Sequence, residues 1–196
     1  MSACDTLPMS EETLLDHPGP WTEEDYFALG ETNSRIELVD GSLWVTPSAN
    51  GPHQDISGQL REALRPTARP AGLRVRQDLD VRLAPGRILR PDLIVTRGPR
   101  VITVAEASDV LLVSEITSPG NAATDRLLKK ELYAAAKIEW YLLIEPDMAD
   151  YESLTLRLFR LDGDKYLEDA VATSGTSLIL TEPFPATIDV DNLLDL

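Results

Sequence analysis

The chain has 196 residues, a formal net charge of −15, a hydrophobic fraction of 43% and a charged fraction of 26%, which is the make-up of a soluble globular protein. No apolar run approaches the roughly 18 residues of a membrane span, and the acidic start from Met1 to Gly19 lacks the basic-then-apolar pattern of a secretory signal. One cysteine, Cys4, excludes an internal disulfide and points to the cytoplasm, and the negative total argues against a protein that coats nucleic acid nonspecifically.

This length buries a core without disulfides or structural metal, so the expectation is a leader over 1–20 followed by one domain over 21–196. Trp21 to Phe27 predicts a short helix, N-capped by Thr22, with Asp25 three residues later as a weaker form of the capping box. Ser34 to Pro47 reads as a hairpin about Asp40-Gly41, a pair that tolerates the positive φ angles of a type I′ turn, with Glu37 in its first strand. In His53 to Arg65, Ile56, Leu60, Ala63 and Leu64 fall at helical spacing, and Pro66 is expected to end the helix. His53 lies in the first turn, where a capping or surface role is commoner than ligation. Leu73 to Leu83 alternates as one half-buried strand, and Pro85-Gly86 turns the chain into a run from Ile88 to Val95.

Residues 97 to 109 read as a polar connection. Leu111 to Ile116 is apolar at nearly every position, as in a strand buried on both faces, with Glu115 near its end. Asn121 to Lys137 predicts a helix on which Asp125, Lys129 and Tyr133, spaced i, i+4, i+8, share one face. Ile138 to Ile144 is another apolar strand, closed by Pro146. Leu154 to Arg160, Tyr166 to Ala172, Ser177 to Leu180 and Thr187 to Val190 read as short strands, with Asp162-Gly163 at a hairpin.

Three polar residues stand out. Asp92 opens an apolar run after a proline; by itself it reads as a strand-start acid capping a backbone amide. Glu115 is different, because a carboxylate inside a buried strand costs several kcal/mol, on the order of 3–5, unless paired, protonated or bound to a cation. Asp125 with Lys129 reads alone as an exposed ion pair worth only about 0.2–0.5 kcal/mol. In combination, two acids on adjacent strands and a helical lysine suit phosphodiester hydrolysis. The acids, with a backbone carbonyl such as that of Ile116, supply hard oxygens for Mg²⁺ or Mn²⁺, and an ammonium orients water or neutralises developing charge.

The run Arg35-Ile36-Glu37-Leu38-Val39-Asp40-Gly41, then His53, Pro91-Asp92, Ser114 to Pro119, Asp125 with Lys129 and Tyr133, and Ile138-Glu139-Trp140-Tyr141 resembles the Uma family of candidate restriction endonucleases, within the PD-(D/E)XK nuclease-like superfamily. The resemblance covers roughly residues 21 to 196. It implies an α/β (α+β) restriction-endonuclease-like fold, a mixed β-sheet flanked by helices. It also implies Asp92 and Glu115 as metal ligands, Lys129 as catalytic lysine and Glu37 as a further acid, with His53, Asp125 and Tyr133 as additional site residues. The wider superfamily carries its lysine two residues after the second acid, where this chain has Thr117, so the lysine comes from the helix. Lys130 competes with Lys129, but it lies about 100° round the helix from the Asp125 and Tyr133 face.

The expected activity is metal-dependent endonucleolytic cleavage of DNA, by a homodimer if the enzyme matches duplex symmetry. Residues 61 to 100 hold ten arginines against four acids, so Arg61, Arg65, Arg74, Arg76 and Arg90 are candidates for nucleic-acid contact. Solvated arginines on strands and a helix are the plain alternative. The rival functions are a catalytically silent domain of the same fold that binds a protein or nucleic-acid partner, and an acidic enzyme acting on something other than DNA.

Overall fold

The computed structural model describes residues 17–30, 32, 34–46, 49–118 and 124–194, without the side chains of 124–126. The first helix, α1 (Glu23–Ala28), starts where the capping box predicts: the Asp25 amide donates to Thr22 Oγ1 at 3.1 Å and the Thr22 amide to Asp25 Oδ2 at 3.0 Å. The hairpin follows as β1 (Arg35–Val39) and β2 (Ser42–Thr46), turned by Asp40 (φ 49°) and Gly41 (φ 82°). Gly41 is required there twice over, since a Cβ would meet the Pro20 Cβ at 2.7 Å. The Tyr26 hydroxyl donates to the Ile36 carbonyl at 3.0 Å and fastens α1 to the hairpin.

Helix α2 (Gly51–Ala68) is capped by the Asn50 side chain and passes through Pro66. The expected stop fails because Leu64 and Ala68, one turn apart, are both fully buried and hold the last turn in place. Pro66 and Glu62, whose carbonyl loses its donor, lie on the exposed face where water substitutes.

The alternating run from Leu73 is two strands, not one: β3 (Arg74–Gln77) and β4 (Asp80–Ala84). Asp78 takes φ 49° between them and sends them into different sheets. Ile88 to Val95 divides likewise into β5 (Arg87–Leu89) and β6 (Leu93–Thr96), interrupted at Arg90-Pro91-Asp92. An alternating pattern cannot report such a crossing, because each half keeps its own period of two. The connection from 97 contains a short strand, β7 (Val104–Glu106), and a 3-10 turn before β8 (Val110–Ile116), whose residues are all buried as expected.

Beyond β8 the predicted helix is a π-helical segment (Thr124–Lys129) leading into α3 (Lys130–Ala135); positions 121–123 lie outside the described residues. Then come β9 (Trp140–Pro146), β10 (Leu154–Asp162), β11 (Lys165–Thr173), β12 (Ser177–Leu180), β13 (Ala186–Asp189) and a closing 3-10 turn.

Six strands form one sheet in the order β11-β10-β9-β8-β6-β3, five a second in the order β2-β1-β5-β4-β7, and β12-β13 a separate hairpin. On one face of the six-stranded sheet, Leu112, Leu142, Ile144, Leu156 and Leu158 pack with Ile56, Leu60 and Leu64 of α2 and with Leu178 and Ile188 of the hairpin. On the other, Val113, Tyr141 and Leu143 pack with Tyr133 and Ala134 of α3 and with Val81 and Leu89 of the second sheet. The chain crosses between sheets at 78 and at 90–92, and the Asp78 amide donates to the Asp92 carbonyl across the two crossings at 3.3 Å. Among the described residues no helix is long and apolar enough to cross a membrane.

Candidate active site

The seam between the sheets carries a buried polar cluster. Leu93 pairs with Ser114 in the antiparallel β6-β8 ladder, so Asp92 and Glu115 leave it at the same level, one from each strand. The Asp92 carboxylate accepts the Ile116 amide on Oδ2 at 2.7 Å, which ties the acid before β6 to the backbone of β8. His53, from the first turn of α2, lies on the same oxygen, with Nε2 at 3.2 Å. The expectation of a surface or capping histidine therefore fails: the ring is buried at 6% exposure because α2 is laid over this end of the sheet.

Glu115 Oε1 accepts from Lys129 Nζ at 3.2 Å and from the Tyr133 hydroxyl at 2.5 Å. The i, i+4 spacing of Lys129 and Tyr133 puts both on the face of the π-helical segment and α3 that covers β8. Lys129 Nζ also donates to Glu37 Oε1 at 2.9 Å, and the same Glu37 oxygen accepts the Arg90 amide at 2.8 Å. Glu37 stands on β1 of the second sheet, so Lys129 joins carboxylates from both sheets. Lys130 points elsewhere: its ammonium lies 3.3 Å from the centroid of the Phe159 ring. The side chain of Asp125 lies outside the described residues.

Arg35 was named in the sequence only within a longer motif, yet it is a member of the cluster. Its Nη2 lies 2.6 Å from Asp92 Oδ1 and 2.9 Å from Asp78 Oδ1. The available signal was strand alternation: in β1, positions 35 and 37 share a face, so an arginine accompanies Glu37 into the interior.

Burial and charge set the protonation states. Burial pushes the Asp92 carboxyl pKa up, but the charge of Arg35 and the hydrogen bond and charge of His53 outweigh it and hold the pKa below the ordinary carboxylate value. Burial works against a charged imidazole at His53, yet the hydrogen bond to Asp92 and its charge leave the pKa raised. Burial and the neighbouring Glu115 charge push the Tyr133 phenol well above its ordinary range, so it stays a donor. Three acidic side chains (Glu37, Asp92, Glu115) thus share the cluster with the Arg35 guanidinium, the Lys129 amino group and the His53 ring.

The candidate nucleic-acid arginines are distributed over α2, β3 and the 90–92 crossing. Arg61 and Arg65 reach Glu62 at 3.0 and 3.8 Å, and Arg74 and Arg76 bond to carbonyls of the 98–100 segment. Arg90 is bound to Asp80 at 2.7 Å, so it already has an acidic partner within the protein.

None of the curated proteins compared with the chain matches it. Among solved structures, a crystal structure described as a putative nuclease belonging to DUF820 from Anabaena variabilis shares 17% sequence identity. It aligns with a TM-score of 0.68 over 89% of this chain and 98% of that one, which is a likeness of fold. The α+β arrangement is the one the resemblance implied. A family described as "Putative restriction endonuclease", Uma2, matches residues 23–193, nearly the whole of the 196, and the chain belongs to that family.

Proposed function

We propose that the protein is a divalent-metal-dependent endonuclease that hydrolyses DNA phosphodiester bonds. The observation that supports the reading is the burial of Asp92, just before β6, beside Glu115 of the neighbouring β8, with Asp92 bonded to the Ile116 amide and Glu115 to Lys129 of the following helical segment. An ion-paired surface would not bring them there.

Among the described residues no group of three His, Cys, Asp or Glu side chains is disposed to hold a metal ion as they stand. The donor chemistry nevertheless fits a hard cation: carboxylate oxygens from Asp92 and Glu115, with the carbonyl of Ile116, the residue after Glu115, as a further oxygen. When bound there, a divalent ion would polarise a phosphoryl oxygen and lower the pKa of water. Tyr133 and Lys129 fix the Glu115 carboxylate, the Ile116 amide and His53 fix Asp92, and Lys129 places a positive charge beside the reacting centre. Arg74 and Arg76, on an edge strand, supply positive charge outside the cluster for a DNA backbone. A homodimer is the assembly that would match duplex symmetry.

The test is cleavage of plasmid DNA in Mg²⁺ or Mn²⁺ by Asp92→Ala and Glu115→Ala; either variant cutting like the parent would overturn the assignment. One observation favours a second reading, a silent domain that keeps the fold to bind a partner. Glu37, Asp92, Glu115 and Lys129 are each at most 3% exposed, so a phosphodiester reaches them only after the cover opens. Under that reading Mn²⁺ leaves the parent protein unbound at millimolar concentration.

A further inference from the structure

The two oxygens of Asp92 are treated differently. Oδ2 is occupied by the Ile116 amide and His53, whereas Oδ1 accepts no hydrogen bond of good geometry and is held by the Arg35 guanidinium at 2.6 Å. The same Arg35 nitrogen has a second anion at 2.9 Å, Asp78 Oδ1. These two acids differ in setting: the Asp92 side chain is 1% exposed and that of Asp78 is 72% exposed. The guanidinium therefore bridges an interior carboxylate and a surface one. Asp78 is kept in range by its own backbone, since it sits at the first sheet crossing with its amide bonded to the Asp92 carbonyl.

On the nuclease reading above, we propose that Arg35 is an exchangeable counter-ion of Asp92: a divalent cation and the guanidinium compete for Oδ1, and Asp78 is the anchor on which Arg35 remains when the metal takes its place. A buried carboxylate without a cation is costly, so the fold needs a resident positive charge at that oxygen. A dication satisfies the same need more fully, and two positive groups cannot share one oxygen without repulsion. Asp78 lowers the penalty of exchange, because Arg35 loses one of two salt links and keeps the other. Arg35 is thus a positioning residue for the site, acting through Asp92.

The experiment is calorimetric titration of Mn²⁺ into the full chain, with no DNA present. Arg35→Gln removes the competitor and should bind Mn²⁺ at least tenfold more tightly than the parent. Asp78→Asn, which keeps a residue that tolerates positive φ, removes the anchor and should bind at least threefold more weakly. A purely structural role for Arg35 predicts equal or weaker binding in Arg35→Gln, and that result would overturn the proposal. If Arg35→Gln fails to fold, Asp78→Asn decides alone: unchanged Mn²⁺ affinity overturns it. A parent that binds Mn²⁺ and cuts DNA while neither variant shifts affinity leaves the nuclease reading standing and removes this one. Absence of Mn²⁺ binding in parent and variants removes the metal assignment together with the exchange.

Discussion

Tyr133→Phe isolates one hydrogen bond in the cluster. The ring is fully buried against Tyr141, with centroids 5.9 Å apart, and the substitution leaves that packing in place. What is lost is the hydroxyl donated at 2.5 Å to Glu115 Oε1, an oxygen on a residue of 0% exposure to which water cannot easily be restored. A hydrogen bond to a charged group contributes about 1.5–3 kcal/mol. In a protein of this length that corresponds to a fall in Tm of roughly 3–12 °C. The measurement is urea unfolding of the parent, Tyr133→Phe, Glu115→Gln and the double variant, giving the pairwise energy from the cycle. With Gln at 115 the acceptor is neutral, so the cost of Tyr133→Phe should drop below about 1 kcal/mol. A stability within about 0.5 kcal/mol of the parent, or the same cost in both backgrounds, would refute the claim that this phenol holds the Glu115 carboxylate.

The two neighbouring lysines should separate cleanly. Lys129→Met leaves Glu37 and Glu115 without the ammonium between them, so stability should fall by about 3–5 kcal/mol and cleavage by at least about 100-fold. Lys130→Met loses a contact with the Phe159 ring, on the order of 0.5–2 kcal/mol, and a charge near Glu168, and should cut DNA normally; parallel unfolding and cleavage assays compare them. The raised pKa of His53 means that the proton bound in the folded state stabilises the fold below the ordinary value of 6.5, and that this contribution disappears as pH climbs through the folded value. Metal-free unfolding followed by urea across that window should show the decline, and His53→Gln should flatten it. Pro66→Ala restores a helical amide in α2 and should stabilise by up to about 3 kcal/mol, read as a higher urea midpoint at unchanged m-value. For DNA, charge reversal at Arg74 and Arg76 should weaken binding and lower the salt slope by roughly 0.9 for each phosphate contact removed, measured by anisotropy across a salt series.

Much of the scaffold is legible in the amino-acid order because its signals are local. Asp40-Gly41 marks the first hairpin, Thr22 and Asp25 start α1, and the unbroken apolar run of β8 announces a central strand. The same locality explains the failures. Nothing in Leu73 to Leu83 says that its halves belong to different sheets, since the decision rests on one backbone conformation at Asp78. Pro66 carries a strong local preference that the burial of Leu64 and Ala68 overrides.

The cluster divides in the same way. Glu115 stood out because a carboxylate in an apolar run demands a partner; Asp92 and Lys129 were singled out only in combination with it and by the family resemblance, and helical spacing separated Lys129 from Lys130. His53 and Arg35 were less visible. Each lies in a segment whose pattern is ordinary, and only long-range contacts at 3.2 and 2.6 Å give them Asp92 as a partner.

Lys129 touches Glu37 on one sheet and Glu115 on the other, at 2.9 and 3.2 Å. A single amino group thus spans the gap between the two layers, so a substitution that slides or tilts one against the other must lengthen or break one of these two contacts.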